Sequence, residues 1–140
     1  EKFLKSDNKY QIVIEDDFEI KKKLPESIEE IENIIKEIGI NKKYLDILYL
    51  SDRIDKNHKY EITGGCGTEG YILTRKGAVK LKYILEKNVQ YPLDLQIQAH
   101  FKHCHYIRNL INDRVKYICV NAYGSKDTYV ICRGLESTIN

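Results

Sequence analysis

A chain of 140 residues can close one hydrophobic core and is too short for two. Its 42% apolar and 31% charged residues exclude a disordered chain, and no run approaches the roughly 18 apolar residues of a spanning helix. The 23 basic and 21 acidic residues are mixed along the chain to a net +2, so no basic face marks nucleic acid as the main partner.

Met is absent, so the expectation is a processed piece or an excised domain of a longer protein. No signal-peptide pattern opens the chain, which favours the cytoplasm as its compartment. The four cysteines, Cys66, Cys104, Cys119 and Cys132, show no C-x-x-C spacing and are too sparse for a disulfide scaffold. Cys119 and Cys132 could bridge in an oxidising compartment. Buried free thiols are the preferred reading.

In chain order, Tyr10 to Ile14 is a short apolar run rich in β-branched residues, predicting a buried strand that ends in Glu15, Asp16 and Asp17. Ile28, Ile31, Ile34, Ile35 and Ile38 recur at helical spacing. Ser27 and Glu30 form a capping box before them, and Gly39 stands where the helix should stop. Asp46 to Leu50 predicts a second buried strand, and the polar residues 51–63 a loop. Gly64, Gly65 and Gly67 then lead as a flexible approach into a third strand, Tyr71 to Leu73.

Thr74 is placed to cap a helix with Ala78, Leu81 and Leu85 on its inner face. Pro92 opens a segment running through Asp94 to Phe101. At the end, Tyr117–Val120 and Tyr129–Cys132 flank a turn region, predicting a β-hairpin. Strands interleaved with helices give an α/β domain with a mixed sheet flanked by helices, taken as a single domain over 1–140.

Three adjacent carboxylates after an apolar strand repel one another unless a positive group neutralises them. If strand geometry persists, Glu15 and Asp17 share one side and Asp16 takes the other. Carboxylates at i and i+2 can hold a hard divalent cation, and in open α/β sheets such sites lie beyond the carboxyl ends of the strands. Taken alone, however, the triplet reads as a solvated acidic turn.

It does not stand alone. The run Tyr10–Ile20 (YQIVIEDDFEI) resembles the "LEDDV" segment of glycosyltransferase family 25, which includes lipooligosaccharide glycosyltransferases and collagen galactosyltransferases. In the same order come the Asp46–Leu50 strand and Gly67–Ala78 (GTEGYILTRKGA), similar to the family's "GTxGYxISxKxA". Pro92-Leu93-Asp94 is similar to its "PVD", and Glu136–Ile139 to its "DSxI".

The resemblance implies a GT-A (nucleotide-diphospho-sugar transferase) fold, a UDP-sugar donor and dependence on Mn²⁺ or another divalent cation. The reaction it implies is inverting transfer of a hexose, galactose or glucose, to a hydroxyl of a glycan or protein acceptor. By position, Glu15 and Asp17 would hold the metal, with Asp16 supporting the turn or the donor. Gly67, Thr68 and Tyr71 would line the donor sugar or the acceptor side, although the glycines serve equally well as a turn. Asp94 is assigned as general base, since inversion needs a carboxylate opposite the leaving diphosphate; it is equally a helix N-cap after Pro92.

His100, His103, Cys104 and His105 suggest a metal tract, but no second ligand pair matches them, so a structural zinc is disfavoured. One of these histidines is a candidate to complete the Mn²⁺ shell. The family places several nucleotide-binding strands, opening with "INLxxRxxR", ahead of its acidic segment, whereas only 14 residues precede Glu15 here. The expectation is therefore a partial GT-A fold whose donor half comes from an upstream segment or a second copy, and which does not bind UDP-sugar alone.

A non-catalytic glycan-binding or scaffold module descended from such an enzyme is the competing reading, with 11 tyrosines as stacking surfaces. A phosphoryl transferase is disfavoured because the chain lacks a phosphate loop of the type G-x-x-x-x-G-K-[ST].

Overall fold

The computed structural model describes residues 3–16, 18–65, 69–87 and 92–132. Its strands are β1 (Tyr10–Ile14), β2 (Phe18–Ile20), β3 (Ile47–Tyr49), β4 (Ile54–Lys56), β5 (Ile62–Gly65), β6 (Gly70–Thr74), β7 (Ala122–Gly124) and β8 (Val130–Cys132). The helices are α1 (Ile28–Glu37), α2 (Arg75–Lys87), α3 (Leu93–Gln98) and α4 (His105–Leu110).

The central sheet has the order β1-β6-β3-β7, with β6 antiparallel to both β1 and β3, and β7 parallel to β3. This is a mixed sheet in an α/β chain. Its pleat sends alternate residues to two cores. Leu48, Leu50 and Ile72 pack with Ile31, Ile34 and Ile35 of α1, while Ile47, Tyr49 and Leu73 pack with residues of α2, α3 and α4.

Local chemistry explains the helices. Ser27 accepts the Glu30 N–H at 3.1 Å, and Gly39, at φ +73°, ends the α1 turn in a conformation that suits glycine. Thr74 accepts the Gly77 N–H at 3.0 Å and starts α2. The α2 helix lies so close to the preceding β3 approach that a methyl group on Gly77 would overlap the Asp46 carbonyl.

Two expectations are corrected. Residues 51–63 are not a loop throughout, because β4 and β5 pair antiparallel around a turn built by Asn57. The Asn57 side chain accepts from the Lys59 and Glu61 N–H groups at 2.9 and 3.0 Å, and Tyr60 takes φ +66°. Gly64 and Gly65 accordingly end a strand, and Gly67 lies outside the described residues.

The terminal hairpin does not form either. Tyr117–Val120 forms only an isolated parallel bridge, from Val120 to Phe101; the strand that follows, Ala122–Gly124, pairs parallel with β3, and Val130–Cys132 pairs with β2. Cys119 is free and exposed and Cys104 is free and buried; burial pushes the Cys104 thiol up to about 11. Among the described residues no helix is long and apolar enough to cross a membrane.

Candidate functional site

Because β6 opposes both β1 and β3, the carboxyl ends of β1, β3 and β7 lie beside the amino end of β6. The segments that follow or precede these ends meet there. The Glu15 N–H donates to the Glu69 carbonyl at 2.9 Å, and the Leu50 N–H to the Gly70 carbonyl at 2.9 Å. Register places Val13 and Tyr49 on either side of Tyr71. Alternation then carries Glu15, Glu69 and Ser51, two residues beyond that row, to the same side of the sheet.

The Tyr49 and Tyr71 rings lie 5.7 Å apart, and Phe101 meets Tyr49 edge-on at 6.1 Å. Burial raises the Tyr71 hydroxyl above its ordinary pKa, and the negative charge of Glu15 adds to the shift. Burial likewise raises Tyr49, reinforced by Tyr71 and then by Asp94. Glu15 and Asp94, far apart in sequence, therefore both act on one tyrosine pair. The two phenols stay protonated at neutral pH and keep their hydrogens for donation.

Glu15 and Asp16 are exposed at the end of β1; Asp17, Gly67 and Thr68 lie outside the described residues. Asp94 sits half-buried in the first turn of α3, where its carboxylate accepts the Leu95 N–H at 3.0 Å. The cap position belongs to Pro92, so the N-cap reading of Asp94 is corrected.

Among the described residues no three His, Cys, Asp or Glu side chains converge as a metal site. The two described acids of the triplet are oxygen donors at an exposed strand end, which suits a hard divalent cation in kind.

The histidines are placed elsewhere. Buried His100 accepts the Ile118 N–H on Nδ1 at 3.0 Å, and its Nε2 lies 3.1 Å from the Asp113 carboxylate. Both ring nitrogens are thus engaged in the protein, which excludes His100 as the metal-completing histidine. His103 pairs with Glu61 at 3.1 Å, and His105 packs on Tyr117 at 4.6 Å.

Sequence reasoning missed three members of this edge. Glu69 is only 2% exposed and pairs with Arg53 at 2.7 Å. The second Glu69 oxygen, the Ser51 hydroxyl and the Tyr49 hydroxyl are buried and have no hydrogen-bond partner among the described residues. Buried polar groups are nearly always paired, so the unpaired Glu69 oxygen and Ser51 hydroxyl, at adjoining strand ends, make this edge a candidate polar site. The signal lay in alternation: an acid two residues before Tyr71 on an inward-facing strand. No family model matches the chain, and no curated protein matches it.

Proposed function

We propose that the chain is part of an inverting, metal-dependent glycosyltransferase of the GT-A type. It would move a hexose, galactose or glucose, from a UDP-sugar to a hydroxyl of a glycan or protein acceptor. The observation that supports the reading is that Glu15 and Asp94, from the two separate motifs of the resemblance, each act electrostatically on one ring of the packed Tyr49–Tyr71 pair.

In this reading Asp94 takes the proton of the acceptor hydroxyl as that oxygen attacks the sugar carbon. Tyr71 lines the sugar. Asp16 supports the donor side with Gly67 and Thr68. Glu15 and Asp17 are the residues that would hold a divalent cation, whose chemistry is to neutralise charge on the departing diphosphate. Buried Glu69, fixed by Arg53, shapes the polar floor.

UDP release, followed with a panel of UDP-hexoses and acceptors in the protein that contains this chain, tests the proposal. Asp94→Asn is expected to lower turnover about 10²- to 10⁴-fold. Unchanged turnover in both Asp94→Asn and Asp17→Ala would remove the assignment.

A further inference from the structure

Two buried side chains at the carboxyl edge of the sheet lack partners. Glu69 is 2% exposed and Ser51 5% exposed. One Glu69 oxygen and the Ser51 hydroxyl make no hydrogen bond among the described residues.

The sheet sets the two groups face to face. The register that pairs Ile47 with Leu73 and Tyr49 with Tyr71 continues through the Leu50 N–H and the Gly70 carbonyl at 2.9 Å, which puts Ser51 directly opposite Glu69. Because Leu50 and Gly70 take the hydrogen bond, Ser51 and Glu69 are a pair of the other kind, whose side chains stand closest, about 5 Å apart at Cβ. Tyr71 follows Glu69 two residues along the same face of β6.

The chemistry of this pair narrows the ligand. Arg53 takes the first Glu69 oxygen at 2.7 Å, so the carboxylate already has its cation. What its second oxygen lacks is a hydrogen to accept, and it repels an anion. Ser51, opposite, both donates and accepts. A neutral ligand with neighbouring hydroxyls satisfies both groups: one O–H donates to Glu69 and the next bonds to Ser51. The Tyr71 ring beside them offers an apolar face for carbon. Hydroxyls at the edge and C–H groups on the face are the two surfaces of a sugar ring.

We propose that Ser51 and the unpaired oxygen of Glu69 form a subsite for adjacent hydroxyls of a hexose. The proposal rests on the carbohydrate ligand of the reading given above, and not on the transfer step. Arg53 acts here as a positioning residue: by holding the first Glu69 oxygen it fixes the second.

The probes are methyl galactoside, methyl glucoside and the corresponding UDP-hexoses, titrated by saturation-transfer NMR onto the protein that contains this chain. Saturable binding of at least one is expected. Ser51→Ala should weaken it about two- to tenfold, the worth of one neutral hydrogen bond, and Glu69→Gln about tenfold or more, because the lost bond is to a charged group. Ser51→Ala removes a hydroxyl without a partner among the described residues, so it should fold like the parent even where Glu69→Gln does not. Ser27→Ala is the control. Its hydroxyl caps α1 on the other face of the sheet, so the change should lower stability and alter sugar binding less than about twofold.

Failure of every probe to bind saturably would overturn the proposal. So would binding unchanged in both Ser51→Ala and Glu69→Gln, which would mean that the two groups hold a fixed water. The reading given above fails separately. Hexose binding weakened in both variants, with no UDP released from any donor, keeps this subsite and removes the transferase. UDP release with parental KM in both variants does the reverse.

Discussion

Arg53 donates to the Glu69 carboxylate at 2.7 Å, and Glu69 is 2% exposed while the Arg53 side chain is 32% exposed. The pair is asymmetric: one partner is committed to the interior and the other reaches it from the surface. Removing the outer partner leaves a buried carboxylate without its cation. Arg53→Ala should cost about 2–3 kcal/mol at pH 7, below the full penalty of a sealed pair because water can follow the vacated arm. Urea unfolding measures the loss, and an unchanged midpoint in the variant would refute this account.

Gly77 sets two opposing effects against each other. Alanine is a better helix residue than glycine by about 1 kcal/mol, so an exposed glycine here would be improved by the change. At this position the new methyl overlaps the Asp46 carbonyl, which itself accepts from the Thr74 N–H at 3.1 Å and cannot retreat freely. Overpacking against backbone wins. Gly77→Ala should destabilise the chain by about 1–3 kcal/mol. Should the denaturation midpoint rise instead, α2 does not lie where described.

The elements legible in the sequence are those whose cause is local. Helix α1 carried its own apolar stripe, its Ser27 cap and its Gly39 stop, and all three operate in the structure. The β4–β5 pair was invisible because its turn is made by one side chain, Asn57, inside a polar stretch without alternation. The expected terminal hairpin failed for the converse reason: alternation reports that a strand is half-buried, not which strand buries it. The edge that unites Glu15, Glu69 and Tyr49 depends on β6 inserting between β1 and β3. That order is a property of the whole chain.

Tyr49 offers a test of the polar edge. Its hydroxyl is buried without a hydrogen-bond partner among the described residues. Removing a bonded hydroxyl usually costs about 1 kcal/mol, whereas removing an orphaned one is neutral or stabilising. Tyr49→Phe should therefore leave stability unchanged or raise it by up to about 1 kcal/mol, because the ring contacts with Tyr71 and Phe101 survive. A loss of more than about 1 kcal/mol in chemical denaturation would mean that the hydroxyl is satisfied in solution.

His100 makes acid the weak side of this fold. Burial lowers its pKa, Asp113 opposes that shift, and the Arg108 guanidinium adds to it. The Ile118 N–H on Nδ1 leaves the ring hydrogen on Nε2, facing Asp113, and Tyr117 stacks on the ring at 6.0 Å. A folded-state pKa below the unfolded value of about 6.5 means that the unfolded chain binds the proton first as pH falls. The contribution is fully present above about pH 6.5 and is lost below it, with a slope of at most about 1.4 kcal/mol per pH unit for one proton. Urea midpoints between pH 8 and pH 5 should decline over the lower part of that range. His100→Gln keeps an acceptor and a donor but cannot titrate, so its curve should be flatter there. Parallel curves for the two proteins would assign the acid sensitivity to other groups.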